Sequence, residues 1–198
     1  MKKLTEMSLQ ELWQLFPIIL KEHNPDYTLW YKEQEEHIIK LLGFGSVCRI
    51  SHIGSTSVRG LAAKPVIDIL AELPADYDMI VTSSVLENSG WLVMAENSRE
   101  KTIDLNKGYT PEGFAQKVYH LHIKPSGDWS ELYFRDYLQK YPSAARRYEE
   151  LKMNLAEKFR HDRDSYTDAK SDFIDEYSQK ARSEFPGRYI PADAKEDE

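Results

Sequence analysis

A chain of 198 residues, 41% hydrophobic and 30% charged, is long enough for one domain and apolar enough for a full core, which disfavours a disordered reading. Its 26 Lys+Arg stand against 33 Asp+Glu for a net charge of −7, so no basic surplus exists to neutralise a nucleic-acid backbone. A single cysteine, Cys48, excludes an internal disulfide, and no run approaches the roughly 20 apolar residues that span a bilayer. No apolar stretch follows Lys2 and Lys3, so no signal peptide is expected, and the setting is read as cytoplasmic, without a membrane partner.

In chain order, Ser8-Leu9-Gln10-Glu11 has the form of a capping box. Leu12, Trp13, Leu15 and Phe16 follow at helical spacing until Pro17, where the helix should kink or restart. After the turn at Asn24-Pro25-Asp26, a second helix is expected over 28–42, stopped by Gly43 and Gly45. Residues 47–53 are β-branched and partly alternating, and 65–70 form a short apolar run of central-strand type. A helix over 76–88 ends at Gly90, and strands are expected over 91–94, 102–106 and 117–123. Beyond Trp129 the pattern is helical, with a break at Pro142, a helix over 144–159, and a last helix from Asp164 or Ser165. The fold class is therefore α+β, one domain over 1–190. It combines N-terminal helices (8–42), a small mixed and largely antiparallel sheet (46–123) and a C-terminal helical segment (129–185). The chain loosens after Pro186 into an acidic tail over 191–198.

Three features carry chemistry. Gly54-Ser55-Thr56-Ser57 follows a strand; glycine lets backbone approach an anion and the three hydroxyls add neutral donors, with an ordinary helix cap as the alternative. Asp68 lies inside an apolar strand, where an unpaired carboxylate is costly to bury, so it calls for a partner: a metal, a base such as Lys64, or a helix N-terminus. Alternation puts Asp68, Leu70 and Glu72 on one face. His120-Leu121-His122 repeats the pattern on another strand, and paired imidazoles can ligate a metal, act as a base, or bind phosphate when protonated. Tyr109 in the hairpin is a weaker candidate.

The stretches His52–Val58, Gly60–Pro65, Ile67–Ile69, His120–His122, Phe134–Leu138, Tyr148 with Leu151 and Lys152, and Tyr166 with Ala169 and Lys170 closely resemble the GrpB family, in order over about residues 10–182. That family is grouped with the polymerase-β-like nucleotidyltransferases, so the resemblance implies a nucleotidyltransferase-like core. It places Gly54 and Ser55 at the β- and γ-phosphates of a nucleotide, where Thr56, Ser57 and Lys64 are expected to join them, and gives Asp68 a Mg2+ ion, which neutralises charge developing on a transferred group. The second metal-binding acid of that superfamily falls on Leu70, and the third-strand acid is not evident. His120, His122 or Glu72 would replace it, although Glu72 lies about 6–7 Å further along the strand. Arg135, Lys152 and Lys170 fall at family positions and would clamp phosphate or a leaving group.

The expectation is binding of a nucleoside triphosphate or another phosphorylated small molecule, with Asp68, His120 and His122 as catalytic groups and Asp68 with His122 on Mg2+ for nucleotidyl transfer. The alternatives are a non-catalytic module that binds nucleotide or phosphate after losing metal-binding acids, and metal-assisted hydrolysis by the same residues.

Overall fold

Ser8 caps the first helix as its neighbours require. Its Oγ accepts from the Glu11 N–H (3.2 Å), and Glu11 Oε2 accepts from the Ser8 N–H (2.6 Å), starting α1 (Leu9–Leu15). The computed structural model describes residues 2–191, so from Ala192 onward the expected acidic tail lies outside the described residues. Pro17 does not restart the helix: a residue before proline is steered out of the α region, and Phe16 stands at φ −120°, ψ 63°. The chain then runs extended, and Lys21 exchanges backbone hydrogen bonds with Ala63 (2.8 and 2.9 Å) before α2 (Tyr27–Leu42).

The centre is a five-stranded sheet of β1 (Arg49–Ile53), β2 (Ile67–Leu73), β3 (Leu92–Asn97), β4 (Thr102–Thr110) and β5 (Gly113–Pro125), with α3 (Met79–Glu87) between β2 and β3. The spatial order is β1-β2-β5-β4-β3; only β2 and β5 run parallel, which makes the sheet mixed and mostly antiparallel. β4 and β5 form a long hairpin with an irregularity at Gly108, where a Cβ would lie 2.3 Å from the Lys117 carbonyl oxygen.

Alternation explains the layers. Ile67, Ile69, Leu121, Ile123, Ile103 and Leu105 point to one face and are buried beneath α2 and α3 with Tyr27, Ile38, Leu86 and Trp91. Each such aliphatic side chain contributes about 1.5–3 kcal/mol by leaving water. The other face carries the polar residues of β2, β5 and β4. Towards β1 it is sealed by Leu132, which packs on Ile53 and Leu70.

The C-terminal helices are α4 (Ser130–Lys140), α5 (Pro142–Lys158), α6 (Arg163–Asp168) and α7 (Ser171–Glu184). The last helix of the sequence pattern is thus two: Asp162 caps α6 by accepting from the Ser165 N–H (3.0 Å), and Lys170 takes the N-cap position of α7. Phe134, Leu138, Tyr148 and Tyr177 pack together and onto Val58 and Leu61, which presses this helical layer against the loop after β1. The segment after Pro186 is not loose up to Ile190, because Tyr189 anchors it. Its N–H donates to the Tyr133 hydroxyl (3.3 Å) and its own hydroxyl to Asp136 (2.5 Å). No helix among the described residues is long and apolar enough to cross a membrane.

Candidate functional site: a cation-walled cleft over the sheet

The parallel pairing of β2 with β5 sets Asp68 beside His120 and Leu70 beside His122; the antiparallel pairing of β5 with β4 then sets Asn106 beside His120 and Asp104 beside His122. One sheet face therefore carries two polar rungs.

On the first rung His120 Nδ1 donates to Asp68 Oδ1 (3.0 Å), which leaves Nε2 to accept from the Tyr109 hydroxyl (2.7 Å). Tyr109 also stacks on the imidazole, ring planes 12° apart. Burial lowers the His120 pKa against the pull of Asp68, so the ring is neutral at pH 7. Burial pushes Asp68 the other way, but the His120 hydrogen bond and the surrounding positive charge outweigh it and hold the carboxyl well below its usual range. The Asp68 side chain keeps 28% of its surface exposed, so the site opens to solvent.

Gly54 makes this approach possible. It stands at φ +67°, and a Cβ there would meet Asp68 Oδ2 at 2.2 Å. The following residues form a single 3-10 turn (Ser55–Ser57) whose hydroxyls divide their roles. Thr56 Oγ1 donates to the Val66 carbonyl (3.0 Å) and accepts from His52 Nε2 (3.0 Å), while Ser57 Oγ donates to the Gly54 carbonyl (2.6 Å). Ser57 is spent on the turn itself and Thr56 on tying the turn to β1 and to the start of β2, contrary to the expectation that they donate to phosphate. Ser55 alone faces the C-terminal layer, where Lys152 Nζ donates to its Oγ (2.9 Å) and to the Ala62 carbonyl (2.5 Å).

Lys152 is one of four cations at this place. Tyr148 and Lys152 lie four apart on α5 and turn inward together; Lys152 is only 2% exposed. Lys64 and Lys170 stand over the Tyr166 ring, at 5.7 and 4.2 Å from its centroid, and Arg163 opens the same short helix α6. Among the described residues none of the four is drawn into a salt bridge. Burial and mutual repulsion bring Lys64 and Lys152 down to about 7 and Lys170 to about 8. Asp68 opposes the shift in all three.

On the second rung His122 Nδ1 donates to Asp104 Oδ1 (2.6 Å). Burial works against its protonation, but the Asp104 contact and the charges of Asp68, Asp104 and Glu131 prevail and raise its pKa. Its side chain is 32% exposed and turns towards a cavity over the sheet.

Arg135 does not join the cluster. Its guanidinium is held by Asp136 (2.8 and 2.9 Å), the His52 carbonyl (3.2 Å) and the Tyr189 hydroxyl (2.8 Å), so it ties α4 to the chain end. Glu72 is fully buried, paired with Arg49 and accepting from the Gly127 N–H (3.0 Å), which removes it as a metal ligand. Asp104, on a third strand, was legible by alternation, since Ile103-Asp104-Leu105-Asn106 repeats the pattern that singles out Asp68. Arg163 carries no such signal, being one base on a mixed helical surface.

The donor set does not suit the expected Mg2+. Among the described residues no three His, Cys, Asp or Glu side chains converge on a point that an ion could occupy. Both His120 nitrogens are engaged, Leu70 is aliphatic, and a dication at Asp68 would face lysine ammonium groups.

The sequence pattern of the GrpB protein family matches residues 17–180. The glutamate-rich protein GrpB of Alkalihalophilus pseudofirmus is 31% identical over 163 residues, 80% of this chain and 92% of that one. A UPF0157 protein of Pseudomonas aeruginosa is 37% identical over 126 residues, 63% of this chain and 52% of its own, so the match spans about half the length of that relative. The crystal structure of the conserved protein GrpB from Enterococcus faecalis superposes with a TM-score of 0.72 at 28% identity, over 84% of this chain and 99% of that chain. A far looser likeness, to Cid1 in complex with its short product ApU (TM-score 0.47, 11% identity, 76% of this chain and 44% of that chain), bears on neither mechanism nor ligand. With the match running from the approach to α2 well into α7 and the same fold in a solved relative, the chain belongs to the GrpB family.

Proposed function

We propose that this cleft binds the phosphate of a phosphorylated small molecule, a nucleotide or a compound of similar charge, and that Lys64, Lys152, Lys170 and Arg163 supply the neutralising charge that a divalent ion supplies in metal-dependent sites. The observation that carries this reading is the gathering of three lysines around one carboxylate, with Arg163 beside two of them and no salt bridge among the described residues to satisfy them. Clustered lysines repel one another and pay a desolvation cost, which an arriving polyanion relieves. Ser55 adds a hydroxyl at the edge of the cluster, and Asp68 offsets part of the positive charge while no ligand is bound. A cytoplasmic setting, rich in phosphorylated metabolites, accords with this use.

Calorimetric titration with pyrophosphate and the four nucleoside triphosphates, in EDTA and in Mg2+, tests the proposal. Binding of pyrophosphate that persists in EDTA is expected; no binding of any of the five in either condition would overturn it. Nucleotidyl transfer is the second reading, favoured by the Gly54–Ser55 turn seated against Asp68, as the family resemblance implies. Its signature is Mg2+-dependent release of pyrophosphate from a triphosphate, together with triphosphate binding that EDTA abolishes.

A further inference from the structure

A cavity of about 1150 Å³ lies between α1, the edge of the sheet at β3 and β4, and α6. Its floor is the polar rung of His122 and Asp104 together with His120; the walls at α1 and β3 are mainly apolar, and the α6 wall is polar. No residue of α1 is buried: Leu9 is 54% exposed, and Leu12 and Trp13 line the cavity. Across from them, Leu92 and Met94 on β3 are 45% and 57% exposed. Two apolar surfaces thus face a common space that neither fills, in a volume above the roughly 300–1,000 Å³ that accommodates drug-sized ligands.

We propose that this cavity holds the body of the phosphorylated ligand and that the body is a flexible aliphatic chain, so that the ligand class is an alkyl or acyl-chain phosphate ester. The proposal rests on the phosphate-binding reading above and adds the chemistry of the remainder of the molecule. Continuity supports it: His120 and Arg163 line the cavity, and Arg163 also acts electrostatically on Lys64 and Lys170. One molecule can therefore have its anion among the lysines and its body along α1. Charge sets the direction, because Asp164 and Asp168 on the α6 wall repel phosphate and leave only the lysine end for the anion. Shape selects the class. Leucine and methionine side chains conform to a bending chain. The Phe16 ring is already engaged edge-on with Tyr109 (4.9 Å between centroids, 65°) and tilted on Phe114 (5.0 Å), and Tyr109 is stacked on His120, so Trp13 is the one remaining Phe, Tyr or Trp ring among the lining residues and no second one is left to sandwich a flat base against it.

The test is calorimetric titration of the full chain with n-alkyl phosphates from ethyl to octyl, beside pyrophosphate and adenosine monophosphate. Affinity is expected to rise by roughly two- to fourfold per added methylene, as burial of CH2 groups dictates. Met94→Asp, at an exposed position, should flatten that series and leave pyrophosphate affinity within about twofold; Leu12→Asp is the parallel substitution on the opposite wall. Octyl phosphate binding no more tightly than ethyl phosphate, or less tightly than adenosine monophosphate, while pyrophosphate still binds, would overturn this inference and leave the phosphate reading intact. Failure of pyrophosphate itself would remove both.

Discussion

At the scale of single residues, Asp68 and Lys152 are the two charges of the site drawn furthest into contact with other charges, and their partners explain why each is tolerated. Asp68 is held by His120 and surrounded by cations. Lys152 donates to the Ser55 hydroxyl and the Ala62 carbonyl and lies 4.9 Å from the centroid of the Tyr148 ring, while Glu149 and Asp68 act on it through space without forming a salt bridge. A buried lysine without a carboxylate is a poor structural device: removing its charge relieves desolvation, and the lost hydrogen bonds cost about 1–3 kcal/mol. Lys152→Met should therefore change stability in urea by no more than about 1 kcal/mol and weaken pyrophosphate binding at least tenfold. A large loss of stability with unchanged binding would assign Lys152 to the fold. Asp68 was legible in the sequence because an acid inside an apolar strand breaks the expected pattern, and the same rule would have found Asp104. The division of labour among Ser55, Thr56 and Ser57 was not legible. Three adjacent hydroxyls look alike in sequence, and only the 3-10 turn decides that Ser57 closes onto the Gly54 carbonyl and Thr56 reaches the Val66 carbonyl.

At the scale of elements, the site exists because one parallel pairing, β2 with β5, puts residues 52 positions apart side by side, Asp68 with His120. The strands themselves, α2, and the breaks at Pro17 and Pro142 follow from alternation, helical spacing and proline chemistry. The strand order does not, since it depends on which apolar faces meet in three dimensions. The division of the last helix into α6 and α7 was equally hidden, and it is what presents Tyr166 beneath both Lys64 and Lys170. The turn after β1 is the most sensitive junction. Gly54→Ala combines a backbone penalty of about 1–3 kcal/mol, for a conformation (φ +67°, ψ −173°) open essentially only to glycine, with the loss of a charged hydrogen bond worth about 1.5–3 kcal/mol, as the new Cβ displaces Asp68 from His120. A destabilisation of about 2.5–6 kcal/mol is expected in urea denaturation, together with a shift of the His120 ring resonances. A melting curve like that of the parent protein would show that the turn can relax away from Asp68.

For the molecule as a whole, a net charge of −7 surrounds a cluster of local positive charge, so the proposed polyanion binding would belong to that one cluster and not to the surface at large. This arrangement has a definite pH signature. Lys64, Lys152 and Lys170 titrate near 7 to 8 in the folded protein and near 10.5 when unfolded. The unfolded chain therefore binds more protons across that interval, and the ligand-free protein gains stability from these groups as pH rises from about 7 to 10. Asp68, depressed from 3.8, contributes stability that is present above about pH 4 and lost as pH falls towards 2. An anion in the cleft restores the lysine charges, so binding takes up protons near pH 8 and weakens as pH rises beyond it. Calorimetry in buffers of different ionisation enthalpy should record that uptake, and proton release at pH 8 would contradict it.

The most direct measurement is pyrophosphate affinity in EDTA for the parent protein and for Lys64→Met/Lys170→Met, two positions where an apolar side chain replaces a desolvated ammonium at little structural cost. The account predicts binding by the parent and a loss of at least a hundredfold in the folded double variant. Equal affinity in the two proteins would contradict it.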